Sequence, residues 1–220
     1  MSGSTTKPFW KRPVLTWAAV WIVLAVVIVA GTRFYTPGTE PEATGAKGNQ
    51  DIITDVAAYA AEEFSASVVP SIEEKAQNFP DLMAKIEADP DAAGKEYGSK
   101  AGDSPWSFPV TVEGTIGEAS FGEVALTVSG MSQPAVGIQT GPAIKGTAVR
   151  DSIGTITFGM FENQTEFARA ATELNNQVKA TVFSEFDLAT MQGSTVKITG
   201  AFTYDDPSHI LITPVKVEVQ

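Results

Sequence analysis

NQTEFARAATELNNQVKATVFSEF, from Asn163 to Phe186, is the stretch whose reading decides the fold. Phe167, Ala171, Leu174, Val178, Val182 and Phe186 recur at helical spacing and make one apolar row. Asn163 and Glu166 have the spacing of an N-cap and its reciprocal acidic partner. Gly193 closes the loop that follows. The stretch therefore predicts one amphipathic helix, and the sequence on either side of it has a different period.

Working outward, that period is two. Phe108, Val110, Val112, Gly114 and Ile116 alternate with Thr111, Glu113 and Thr115. Val124, Leu126 and Val128 make a second alternating run, and Ile156, Phe158 and Met160 a third. Beyond the helix, Val196, Ile198, Gly200 and Phe202 make a fourth, and Ile210 to Val219 a fifth, entered through a turn at Tyr204 to Ser208. Each predicts a strand with one buried face. Three strands, a helix and two strands is the order of the OB-fold, a five-stranded Greek-key barrel, although other small mixed folds share it. The expected fold class is α+β and mainly β, with an OB-like β-β-β-α-β-β barrel over 105–220. Gly130 to Gly154 is additional to that plan; Val136 with Ile138 and Ile144 with Ala148 predict an extra hairpin.

Residues 50–97 read as helical. Ile52, Val56, Ala60, Phe64, Val68 and Ile72 recur every four residues, with Glu62, Glu63, Glu73, Glu74 and Lys75 mostly off the stripe. Pro70 predicts a kink or the start of a second helix. Another helix spans about Asp81 to Ala88 and ends near Asp89-Pro90, and Gly98 to Pro105 is a turn-rich joint.

The N-terminal region has a different character. Val14 to Gly31, VLTWAAVWIVLAVVIVAG, carries no charge and as a helix would extend roughly 27 Å, near the hydrocarbon thickness of a bilayer. Lys7, Lys11 and Arg12 precede it, and no Asp or Glu occurs before Glu40. The positive-inside rule then predicts a cytoplasmic tail over 1–13, a transmembrane helix over 14–35 and an extracytoplasmic body. A cleaved signal peptide, cut after Ile28-Val29-Ala30, is the competing reading; the apolar core is long for one. Residues 36–49, rich in Pro, Gly, Thr and Glu, read as a linker.

Composition narrows the chemistry. The 220 residues carry a net charge of −11, and with Lys7, Lys11, Arg12 and Arg33 near the start the body is more acidic still. Such a body repels phosphate backbones, so a nucleic-acid role is not expected. Cysteine is absent, which excludes disulfides, thiolate metal sites and thiol nucleophiles. The one histidine, His209, excludes an all-imidazole metal site. It follows Ser208 at a turn, with no third orienting group or oxyanion hole in view. Asp89 with Asp91 and Asp205 with Asp206 lack the longer ligand series of a calcium loop. No cofactor, metal or catalytic residue is expected.

The densest unusual stretch is QTGPAIKGTAVRD, Gln139 to Asp151. GPAIKGT falls short of a phosphate-binding G-x-x-x-x-G-K-[ST] loop. As a binding loop it would present Gln139, Thr147, Arg150 and Asp151 to a polar ligand or a partner, with Asn163 and Gln164 at the barrel mouth. Polyols are commonly recognised by such planar donors and acceptors. Against this, Arg150 and Asp151 suit a structural ion pair that fixes the loop, and Asn163 suits a helix cap. Asn175 and Asn176 lie between core positions of the helix, where hydrogen bonding of one to the loop above and solvent exposure are both open. Trp106, Phe108 and Phe121 are candidate stacking aromatics, with core filling the plainer role for Phe108.

DPDAAGKEYG (Asp89 to Gly98), IQTGPAIKGTAVRDSIG (Ile138 to Gly154), FENQTEFA (Phe161 to Ala168), LNNQV (Leu174 to Val178) and the terminal GAF…ITPV (Gly200 to Val215) resemble an uncharacterised bacterial family of predicted periplasmic lipoproteins. The similarity covers about residues 50–220. The resemblance implies an OB-like domain outside the cytoplasmic membrane and, from the usual gene neighbourhoods of that family, an accessory link to ribose-type sugar ABC importers. It implies no established activity or site residues. This chain lacks the lipid-modified cysteine of the lipoproteins, so an uncleaved span would replace the lipid. The expected function is an accessory or ligand-sensing protein that binds rather than catalyses. Its expected partners are the bilayer, through 14–35, and transporter subunits or a solute-binding protein. The alternatives are a protein that itself captures a sugar or polyol, which a pocket uniting Arg150, Asp151, Gln139 and Asn163 would favour, or a structural envelope or assembly factor.

Overall fold

Apolar residues spaced strictly by four drift off one face of an ideal α-helix by about 40° per step. The chain removes that drift with a change of helix type. The structure, a computed structural model, describes residues 52–220; the expected tail, span and linker lie outside the described residues. Helix α1 (Val56–Glu63) runs into a π-helical turn, Phe64–Val68, and on into α2 (Val69–Lys75). The wider turn, closed by the Val69 N–H on the Phe64 carbonyl, returns Phe64, Val68 and Ile72 to the face set by Val56 and Ala60. All five are at most 2% exposed. Pro70 falls in the first turn of α2, where its missing N–H costs least.

A two-residue strand, β1 (Gln77–Asn78), leads to α3 (Phe79–Ala88) and α4 (Pro90–Tyr97). Asn78 caps α3 by accepting from the Asp81 N–H, and Asp89 caps α4 by accepting from the Asp91 and Ala92 N–H groups. Asp89 and Asp91 thus serve a helix start.

The barrel is made by β2 (Ser107–Ser120), β3 (Glu123–Thr127), β4 (Ala135–Gln139), β5 (Thr195–Thr203) and β6 (His209–Val219). The 14-residue β2 closes it: its first part pairs antiparallel with β5 from Ser107 to Thr115, and its end pairs antiparallel with β3. A bulge between Ile116 and Ala119 lets the strand bend from one partner to the other. Gly114 lies at that transition, where a Cβ would stand 2.6 Å from the Thr127 carbonyl oxygen. β3 pairs with β4, β4 runs parallel to β6, and β6 returns to β5. β1 adds a parallel edge at Val110 and Thr111.

Two expectations are corrected. Residues 156–160 are not the third strand. Phe158–Met160 is a single 3-10 turn leading to the next helix, and a three-residue alternation does not distinguish that turn from a strand. β4 holds the third place instead. Four of its five residues are buried, so its sequence shows little alternation. The extra hairpin is likewise absent: Val136 and Ile138 belong to β4, and Ala148 opens the short helix α5 (Ala148–Asp151).

Helix α6 (Gln164–Glu185) lies between β4 and β5 in sequence and packs against β6, α1 and α5. Asn163 caps it by accepting from the Thr165 and Glu166 N–H groups. The Glu166 carboxylate makes no return bond and stands 3.6 Å from Arg169. α2 packs on both β2 and β5, and one continuous core joins the helical segment to the barrel. Phe202 stacks on Phe108 at 5.5 Å and meets Phe79 edge-on at 6.2 Å.

Candidate functional site

The connection from β4 to α6 cannot join the sheet, so its polar groups find partners by other routes. Gln139 is 5% exposed at the end of β4. Its amide nitrogen donates to the Lys145 carbonyl at 3.0 Å and to the Thr213 hydroxyl at 2.7 Å, and its oxygen accepts the Lys145 N–H at 2.8 Å. Asn175, on the facing side of α6, donates to the Gly146 carbonyl at 3.0 Å. Gly146 has φ 85°, a left-handed conformation suited to glycine. α5 follows directly.

α5 carries the charged corner. The Arg150 Nε donates to Asp151 Oδ1 at 2.6 Å, and the Thr147 hydroxyl donates to Asp151 Oδ2 at 2.6 Å. Arg150 Nη1 donates to the Phe167 carbonyl at 2.8 Å, and the guanidinium carbon lies over the Phe167 ring, 3.7 Å from its centroid. Both charged residues are 5% exposed. A buried pair of this kind is neutral overall, and each member depends on the other to offset its lost hydration. Among the described residues, Arg150 Nη2 has no hydrogen-bond partner. A guanidinium has five donors, so this edge retains capacity for an acceptor.

The corner opens on a cleft of ≈ 480 Å³. Thr147, Arg150, Asp151 and Gln164 line it together with residues of the 99–104 loop, and Ile156, Phe158 and Phe167 supply apolar surface. Phe158 is 47% exposed and meets Phe167 edge-on at 5.9 Å. The cleft thus combines a fixed planar ion pair, an amide, a hydroxyl and an accessible aromatic ring. Pockets of roughly 300–1,000 Å³ with a few convergent polar groups hold small molecules.

Of the six residues expected at a site, the structure brings four together: Thr147, Arg150, Asp151 and Gln164. Gln139 and Asn163 are not among the residues lining the cleft. The first spends its amide pinning the loop, and the second spends its side chain on the cap. Arg150 and Asp151 do pair with each other, and they line the cleft as well. Two aromatics of the cleft escaped the sequence reading. Phe158 sits in an alternating run and Phe167 in the helical core row, and only the fold shows that both border one space. Trp106 donates its indole N–H to Asp91 at 3.1 Å, Phe108 is core, and Phe121 stands fully exposed on the β2–β3 turn. His209 Nε2 lies 3.3 Å from Glu123, while Ser208 donates to Asp206 at 2.7 Å; neither lines the cleft. Among the described residues no group of three or more His, Asp or Glu is arranged to hold a metal ion.

The sequence profile of the predicted periplasmic lipoprotein family DUF2291 matches residues 22–218, nearly the whole chain. This protein belongs to that family. The family name points to an extracytoplasmic location. Among the described residues no helix is long and apolar enough to cross a membrane. No curated protein matches the chain. Among solved structures, an OB-fold protein from Thermotoga maritima superposes with a TM-score of 0.62 at 22% identity, covering 76% of this chain and 98% of its own. At that identity the likeness is one of fold. The OB-like architecture of this DUF2291 member, with its helix between the third and fourth barrel strands, agrees with it.

Proposed function

We propose that this protein is an extracytoplasmic binding module that holds a small polyhydroxylated ligand in the Arg150 cleft. In this reading the span over 14–35 stays uncleaved and tethers the body to the membrane. The module then serves as an accessory or ligand sensor for a carbohydrate ABC importer and performs no chemistry of its own. The observation that carries the ligand class is the Arg150–Asp151 pair. It is locked in place by Thr147 and by the Phe167 carbonyl and ring, and it leaves one guanidinium edge free in the cleft beside the exposed Phe158 ring. A rigid planar donor next to an aromatic face suits a ring with hydroxyls on its edge and C–H groups on its face. The acidic body favours neutral ligands over phosphorylated ones.

The experiment is titration calorimetry of the full-length, detergent-solubilised protein with ribose, glucose, xylose, glycerol and inositol. Saturable heat with at least one of these is expected, with affinity reduced about tenfold in Phe158→Ala or Gln164→Ala, the loss of one good contact. No heat from any of them sinks the binding reading. Co-purification of a sugar permease, its ATPase or its solute-binding protein from mild-detergent membranes is expected for the accessory role, and a preparation of this chain alone contradicts it.

A further inference from the structure

The Arg150 cleft is one half of a longer furrow. Segments 96–104 and 147–157 border both halves. On one side of their meeting point lies the Arg150 cleft; on the other a second cleft of ≈ 510 Å³ opens between residues 96–99 and 152–155, with Lys75 and Gln77 also lining it. Ser99 and Gly154 line both. At this divide Gly154 has φ 74° and no side chain, and a Cβ there would come 2.8 Å from the Ser99 hydroxyl oxygen. The divide is thus formed by the Ser99 hydroxymethyl group facing a glycine that has no side chain.

The second half has the same chemical character as the first. Lys75 Nζ donates to the Ile153 carbonyl at 2.6 Å, which leaves two of the three ammonium donors available. Gln77 uses its amide nitrogen on the Lys75 carbonyl at 2.9 Å and keeps its oxygen. Tyr97 donates its hydroxyl to Glu96 Oε1 at 2.6 Å, leaving the other carboxylate oxygen to accept. The second half thus offers a cation, an anion and an amide oxygen with bonding capacity to spare. Each half alone is in the range of about 300–1,000 Å³ that takes a small molecule, so the furrow has more room than one sugar ring needs.

We infer that the furrow takes a linear chain of polyhydroxylated units, at least two sugar rings long, with one ring in each half and the linkage crossing the Ser99–Gly154 saddle. This rests on the Arg150 cleft being a ligand site. The test is calorimetry of the full-length protein with glucose, xylose and N-acetylglucosamine beside their linear two- and three-unit oligomers. In at least one series the two-unit sugar is expected to bind tenfold or more tightly than its monomer. Gln77→Ala and Glu96→Gln are each expected to erase that gain while the monomer Kd stays unchanged, and Ser99→Leu, at the boundary of both halves, is expected to erase it as well. Circular dichroism checks that each variant folds. Monomers that bind as tightly as oligomers overturn the furrow and leave the single-cleft reading standing. An oligomer gain that survives all three substitutions does the same. No binding by any member of any series overturns the furrow, and no binding by ribose, glycerol or inositol either overturns both.

Discussion

Strands β5 and β6 and the Gln139–Asp151 connection belong to one folded unit, yet different chemistry holds them. In the strands, Val196, Ile198, Phe202, Ile210 and Ile212 are fully buried, and the backbone groups pair along an antiparallel ladder with one register shift between Thr199 and Gly200. In the connection, side chains stand in for the ladder: Gln139 bonds both polar groups of Lys145, Asn175 bonds Gly146, and Arg150 bonds Phe167. The strands can therefore be mostly apolar where they are buried, with Thr199 and Thr213 as exceptions. The connection must bury amides and charges to satisfy its own backbone. Of those buried polar groups, Arg150 and Asp151 also line the cleft.

The comparison breaks or sharpens by mutation. Phe202→Ala should cost about 3–5 kcal/mol through lost burial and the cavity left behind, measured by urea unfolding. If polar bonds hold the connection as firmly as packing holds the sheet, Arg150→Met should cost a similar amount, about 3–5 kcal/mol, because it strands Asp151 as a buried unpaired charge. Arg150→Met with Asp151→Leu should then recover most of that loss. A single-variant cost under about 1 kcal/mol would mean that the corner is solvated and the comparison is wrong.

Gln139→Leu should cost about 1–3 kcal/mol, since it leaves the Lys145 groups and the Thr213 hydroxyl without their partner. Hydrogen exchange should speed up at Lys145 and little in β5. The β2–β3 turn is the opposite extreme. Phe121 sits fully exposed at φ 49°, a left-handed conformation that costs a bulky residue energy. Phe121→Gly should raise stability by about 0.5–1 kcal/mol, the relieved strain exceeding the added chain entropy.

The smallest effect is on acid response. The Ser208 hydroxyl and N–H bonds hold the Asp206 carboxyl below its ordinary range. A lowered folded value means that this stabilisation is complete above the unfolded-state pKa and disappears as pH falls through the folded value. Asp206→Asn should therefore lower thermal stability slightly at neutral pH and remove this group's share of the acid decline, so that variant and wild type converge as pH falls below the aspartate range.

How much of this was legible in the sequence follows from the same chemistry. The α6 row and its Asn163 cap are local patterns, and local patterns are what a sequence displays. The two long strands of the final pair alternate over enough residues to be read as strands. β4 shows little alternation because four of its five residues are buried, so its sequence does not mark it as the third strand. The π turn was hidden because a four-residue stripe reads as an ordinary helix. In the cleft, residue type pointed to Arg150, Asp151, Thr147 and Gln164. Residue type could not separate these from Gln139 and Asn163, whose partners are settled by the fold. Phe158 and Phe167 carry no sign in sequence that they border one space.

The most direct test follows the Arg150 Nε–H resonance by NMR during titration with the tightest sugar found by calorimetry. The account predicts that this resonance and the Thr147 and Gln164 backbone amides shift together and saturate at the calorimetric Kd, with the Gln139 and Asn163 side-chain amides unmoved. Saturable binding that leaves Arg150, Thr147 and Gln164 unperturbed would contradict it.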